Sequence, residues 1–124
     1  MNSSLLKKKK MQLQLQHSLA DIQDLINTGE PVLIYFSGEN CSVCTALKPK
    51  ISNEVSSHFP KIKILEVNVS SHKEIASHFT VFSIPTILLF LDKKEFIRVG
   101  RNISVKAFIE QIRRPYMLFC DEEE

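Results

Sequence analysis

The sequence holds no tryptophan and only two tyrosines. Aromatic side chains interleaved with basic ones, the make-up of many nucleic-acid-binding faces, are therefore scarce. Neither sign of charge is in excess. Four lysines at 7–10 are matched by four acids at 121–124, and what lies between them carries only +2. A lysine run of that kind is most simply a solvated, disordered end, so no nucleic-acid or membrane partner is expected. Long apolar runs are missing too. No stretch reaches the ~18 residues of a membrane-spanning helix. The N-terminus has the charge of a signal peptide but not its apolar centre of about 7–15 residues, because glutamine interrupts every apolar residue of "MQLQLQ". A cytoplasmic location is the expectation that follows. Cysteine occurs three times, and an odd, small number in a reducing compartment argues against a framework of structural disulfides.

What is present suits one soluble domain. At 124 residues and 44% hydrophobic composition, the chain can bury a core without staples. Met11, Leu13 and Leu15 alternate with glutamines, which predicts a half-buried strand. Ser18 and Asp21 form the pattern of a capping box, followed by Leu19, Ile22, Leu25 and Ile26 at helical spacing. "VLIYF" at 32–36 is a continuous apolar run, as in a strand covered on both faces. After Cys41, the residues Val43, Leu47, Ile51, Val55 and Phe59 recur every four, and Pro49 should kink the helix they define. A second buried strand, "KIKILEVNV", follows at 61–69, and Ser71 with Glu74 predicts another capped helix. "TILLFL" at 86–91 and "FIRV" at 96–99 read as a hairpin. Ser104 should cap a last helix carrying Val105, Phe108, Ile109 and Ile112, with Pro115 beyond its end. The order β-α-β-α-β-α-β-β-α is that of a single α/β domain, with parallel pairing in its first half and an antiparallel hairpin in its second.

Two of the three cysteines stand in "SGENCSVCTALKP" at 37–49, in C-x-x-C spacing just after a buried strand. Such a pair exchanges electrons, holds a metal, or survives as packing. For structural zinc it is half a ligand set. Cys120 lies far off, and His17, His58, His72 and His78 form no C-x-x-H or H-x-x-x-H pairing. No metal and no cofactor is assigned, and the histidines read as surface residues.

The remaining motifs carry a family likeness. A C-x-x-C that closes a buried strand and opens a helix resembles the active site of the thioredoxin family. Pro49 matches the proline in the helix behind that site, Asn68 an asparagine of the third strand, "IPT" at 84–86 the segment with the family's cis-proline, and Gly100 the glycine after the hairpin. The resemblance implies a thioredoxin fold, three layers α/β/α around a central mixed sheet. It divides the chain into a basic segment at 1–10, the domain at 11–114 and a tail at 115–124. It implies a cis Ile84–Pro85 bond, and substrate contact through Ile84, Pro85, Ser42, Val43 and Gly100. It also implies a monomer that reduces disulfides of other proteins, is recharged by an upstream reductase and maintains cell redox homeostasis.

Chemistry assigns the two thiols different roles. Cys41 begins a helix, where free amides and the macrodipole favour a thiolate nucleophile. Cys44, one turn on and closer to the core, suits resolution of the mixed disulfide. Here the sequence departs from the family, which usually has W-C-G-P-C. Asn40 replaces the tryptophan, and Ser42–Val43 the Gly–Pro dipeptide. The family's buried acid is replaced by Tyr35, read as a core residue, and its accompanying lysine by Glu66. Glu66 is either a possible proton acceptor or a strand-edge carboxylate. Without the acid, slow resolution at neutral pH is expected. These departures leave an alternative, a redox-weak thioredoxin-fold binding or adaptor module. Cys120, in an apolar tail ending in acids, is expected to be inert, and truncation after Arg114 to leave thiol exchange intact.

Overall fold

The apolar runs become the interior of one sheet. The computed structural model describes residues 18–123, so the segment at 1–10 and the strand read at 11–16 lie outside the described residues. Within them the order is α1 (Leu19–Asn27), β1 (Val32–Ser37), α2 (Ser42–His58), β2 (Lys63–Asn68), α3 (Lys73–His78), β3 (Thr86–Leu91), β4 (Lys94–Val99) and α4 (Val105–Glu123). The helix α1 starts at its capping box. The Asp21 N–H donates to Ser18 Oγ at 3.1 Å, and the Ser18 N–H to the Asp21 carboxylate at 3.4 Å. Each bond satisfies an amide that the helix itself leaves unpaired.

The strands stand in the order β2-β1-β3-β4. β1 is parallel to β2, from Val32↔Lys63 to Ser37↔Asn68, and antiparallel to β3, which in turn forms a hairpin with β4. Because β1 and β3 are central, every residue of both is buried, which accounts for their unbroken apolar sequences. Alternate side chains of these strands enter two cores. Leu33, Tyr35, Ile87 and Leu89 pack with Ile51 and Val55 of α2 and Phe108 and Ile112 of α4. On the other face Val32, Ile34, Phe36, Leu88 and Phe90 pack with Ile22 and Ile26 of α1 and Ile75 of α3. The result is the three-layer α/β/α arrangement.

Two helix boundaries differ from the expectation. Ser71 does not cap α3. His72 holds that position with no side-chain bond, because Ser71 Oγ faces the Asn68 carbonyl at 3.4 Å and His72 Nδ1 at 3.1 Å. The last helix is capped as expected, with the Ala107 N–H donating to Ser104 Oγ at 3.3 Å. It does not stop before Pro115, however. It runs through the proline to Glu123. Tyr116 supplies the reason: it is buried, its ring lies 4.9 Å from that of Phe59, and its hydroxyl accepts the Lys61 N–H at 3.2 Å. Burying such a side chain is worth about 1.5–3 kcal/mol, comparable to the ~3 kcal/mol cost of proline inside a helix.

Candidate active site

β1 delivers the chain to the cysteines through Ser37 and Gly38. A Cβ on Gly38 would stand 2.7 Å from Ile84 Cδ1, so glycine lets this loop lie directly on the Ile84 side chain, which a larger residue would have to turn aside. Asn40 then takes a left-handed φ of 57°, a conformation asparagine adopts more readily than most residues. Cys41 is the N-cap of α2, and its Sγ accepts the Cys44 N–H at 3.2 Å. Cys41 and Cys44 are joined in a disulfide, with Cα atoms 5.3 Å apart. Cys44 is 3% exposed while Cys41 is only half-buried, so the first sulfur of the pair is the one a second molecule can meet. The amide aimed at it is the kind of donor that stabilises sulfur carrying negative charge.

The Ile84–Pro85 peptide is cis. Pro85 is buried, and a Cβ on Gly100 would lie 3.8 Å from its carbonyl. Ile84 is half-buried, with its side chain against Gly38. Ser42 and Val43 are exposed on the first turn of α2. The structure thus brings Ile84, Pro85 and Gly100 together and ties them to the disulfide loop through Gly38.

Behind the disulfide, Tyr35 is more than core filling. Its hydroxyl donates to the Cys44 carbonyl at 2.9 Å. Burial first, and the charge of Glu66 second, push the phenol pKa up to about 12. At neutral pH it therefore stays a neutral donor and takes no proton from Cys44. Glu66, the register partner of Tyr35 on β2, accepts Ser37 Oγ at 2.9 Å and pairs with Lys48 Nζ at 2.6 Å. Glu66, Lys48, Ser37, Cys44, Thr45 and Asn68 all border one cavity of about 540 Å³. Sequence reasoning missed Lys48. The available signal was its place four residues after Cys44, on the same helix face. Pro49 follows it inside α2 and offers no N–H to the Thr45 carbonyl beside the cavity.

Elsewhere, Cys120 is a free, half-buried thiol on α4 that packs against the core. Among the described residues no three His, Cys, Asp or Glu side chains gather as metal ligands. No helix among them is long and apolar enough to cross a membrane.

The thioredoxin family model matches residues 14–114, most of the chain. The chain belongs to the thioredoxin family. It is 35% identical over 106 residues to the thioredoxin-like protein YdfQ of Bacillus subtilis, covering 86% of this chain and 94% of that one. Mitochondrial thioredoxin 3 of Saccharomyces cerevisiae, in its oxidised form, superposes with a TM-score of 0.72 at 20% identity over 84% of this chain and 96% of its own. For Fasciola hepatica thioredoxin the TM-score is 0.67 at 28% identity, over 77% and 91%. Thioredoxin-family membership and the Cys41–Cys44 disulfide together support a thiol–disulfide oxidoreductase.

Proposed function

We propose that this thioredoxin-family protein acts as a monomer that reduces disulfides of other proteins in the cytoplasm, and so contributes to cell redox homeostasis. The Cys41 thiolate attacks a substrate disulfide. That bond breaks, one substrate sulfur leaves and takes a proton, and the other stays bound to Cys41. Cys44 then gives up its proton and attacks Cys41 Sγ, releasing the second substrate thiol and closing the Cys41–Cys44 bond. Two electrons pass to the substrate, and an upstream reductase returns them. The observation that carries this reading is the pairing of an accessible sulfur, capped by an amide at a helix start, with a buried one. Proteins of the family act on protein disulfides with reductase partners, which supports the same direction.

Glu66 is the acceptor for the Cys44 proton. It borders the same cavity as Cys44, whereas the Tyr35 hydroxyl is a donor already engaged with a carbonyl. Reaching Cys44 across that cavity is a longer route than a buried acid would offer, so resolution at neutral pH is slow. Ile84, Pro85 and Gly100, with Ser42 and Val43 beside the sulfurs, form the surface on which the substrate lies. The test is the equilibrium potential of Cys41–Cys44, titrated in glutathione and dithiothreitol buffers and read by mass after alkylation. A reversible pair near about −270 mV is expected of an electron donor. A value near about −120 mV would make the protein an oxidant instead. If no reversible bond forms at any poise, the redox reading fails and a binding module takes its place.

A further inference from the structure

Arg98 and Arg113 are each bonded to a glutamate three residues away, Glu95 and Glu110. Arg101 is different. It is exposed, follows Gly100 directly, and donates through Nη2 to the Ile84 carbonyl at 3.3 Å. Among the described residues it has no carboxylate partner, and Glu39, the acid of the loop before Cys41, is not paired with it. A guanidinium is thus anchored at the rim of the disulfide site by a neutral acceptor. That acceptor belongs to the residue whose side chain lies on Gly38. One N–H is used there, and the planar group has four more donors. A carboxylate is the ligand whose geometry and charge match such a fork.

Resting on the disulfide-reductase reading, we propose that Arg101 is a specificity-determining residue that favours substrates carrying Asp or Glu beside the attacked disulfide. The Ile84 carbonyl keeps a second lone pair, so the contact with Arg101 does not bar a substrate backbone N–H from the same oxygen. An exposed ion pair is worth roughly a two- to fivefold gain in kcat/KM, and salt weakens it.

The experiment uses three synthetic peptides with the same disulfide and Glu, Gln or Lys at the adjacent position. Their reduction is followed under single-turnover conditions by the full chain. The wild type should rank Glu above Gln above Lys by about two- to fivefold per step at low salt, and the ranking should flatten in about 1 M salt. Arg101→Gln should collapse the order, Arg101→Glu invert it, and Arg101→Lys restore part of it. Equal rates for the three peptides with the wild type, or an order that survives in Arg101→Gln, overturn the proposal and leave disulfide reduction standing. Failure to reduce any of the three overturns both.

Discussion

On the face of the sheet shared with α1 and α3, Val32, Ile34, Phe36, Leu88 and Phe90 pack with the hydrocarbon of Ile22, Ile26, Ile75 and Phe79, and Thr86, the register partner of Phe36, turns its hydroxyl to the Ser83 carbonyl at 2.7 Å. The rings of Phe36 and Phe90 both pack on Phe79, at 6.1 and 5.7 Å. The opposite face has as many aliphatic side chains, but the Tyr35 and Tyr116 hydroxyls and the Cys44 sulfur are set among them. Glu66 and Lys48 stand at its margin. The same strands build both. Tyr35 lies between Ile34 and Phe36, and the two-residue period of a strand sends it, alone of the three, to the side of the cysteines. Among the described residues, no buried side-chain polar atom lacks a partner. The polar groups of the second face are therefore paired, at little cost to stability. Both faces hold the fold together through buried apolar side chains, and the second also carries the cysteine site.

Substitutions on opposite faces should separate stability from activity, and the largest contrast is between Phe36→Ala and Cys41→Ser. Phe36→Ala opens a cavity in the hydrocarbon face and should lower unfolding free energy by about 3–5 kcal/mol in urea titrations. It should leave the Cys41–Cys44 potential of the folded protein where it was. Cys41→Ser should reduce disulfide exchange to background while moving the stability of the reduced protein by less than about 1 kcal/mol. A redox potential that shifts in Phe36→Ala would mean that the two faces are coupled through the sheet.

Tyr35→Phe is a finer cut, because it alters the polar face without opening a cavity. The Cys44 carbonyl loses its donor, for a loss of about 1–2 kcal/mol at neutral pH. The pH dependence identifies the group. The folded phenol is pushed up to about 12 from 10. Below about pH 10 it is protonated in both states and its contribution is complete. Between 10 and 12 the unfolded chain loses the proton first, so the folded state binds more protons and stability falls as pH rises. The loss reaches on the order of 2–3 kcal/mol. Urea midpoints at pH 9 and pH 11.5 should therefore converge for wild type and Tyr35→Phe. A constant gap between them would assign the alkaline transition to another group.

The hydrocarbon face was legible in the sequence because burial leaves a pattern, an unbroken apolar run in a central strand and a stripe in a helix. The "VLIYF" and "TILLFL" runs and the Ser18–Asp21 box marked β1, β3 and α1 where they stand. The polar face was legible only where a motif names it. C-x-x-C marked Cys41 and Cys44, but the partner of the Tyr35 hydroxyl is a backbone carbonyl, which no side-chain pattern displays. Glu66 looked like a strand-edge acid because its cation comes from α2. Pro115 failed as a stop signal for a similar reason. Its local cost is fixed, whereas the gain from burying Tyr116 against Phe59 depends on a contact 57 residues away.

Gly38→Ala should give the smallest change in stability and still inform the comparison. The new Cβ would meet Ile84 Cδ1 at 2.7 Å, but that atom is the free end of a flexible side chain. Val69 Cγ2 and Ser70 Oγ, at 3.5 Å, are at ordinary contact distance. Turning Ile84 aside costs on the order of 0.5–1.5 kcal/mol, and alanine returns about 0.4–1 kcal/mol by restricting the unfolded chain. The melting temperature should therefore barely move. Ile84, however, belongs to the proposed substrate surface, so its displacement should appear as a raised KM for protein disulfides with kcat held. An overpacked methyl on the hydrocarbon face has no such outlet and is felt as lost stability. If Gly38→Ala instead loses several kcal/mol and keeps its KM, the loop before Cys41 is part of the packed core, and the boundary between the two functions lies nearer the sulfurs than Ile84.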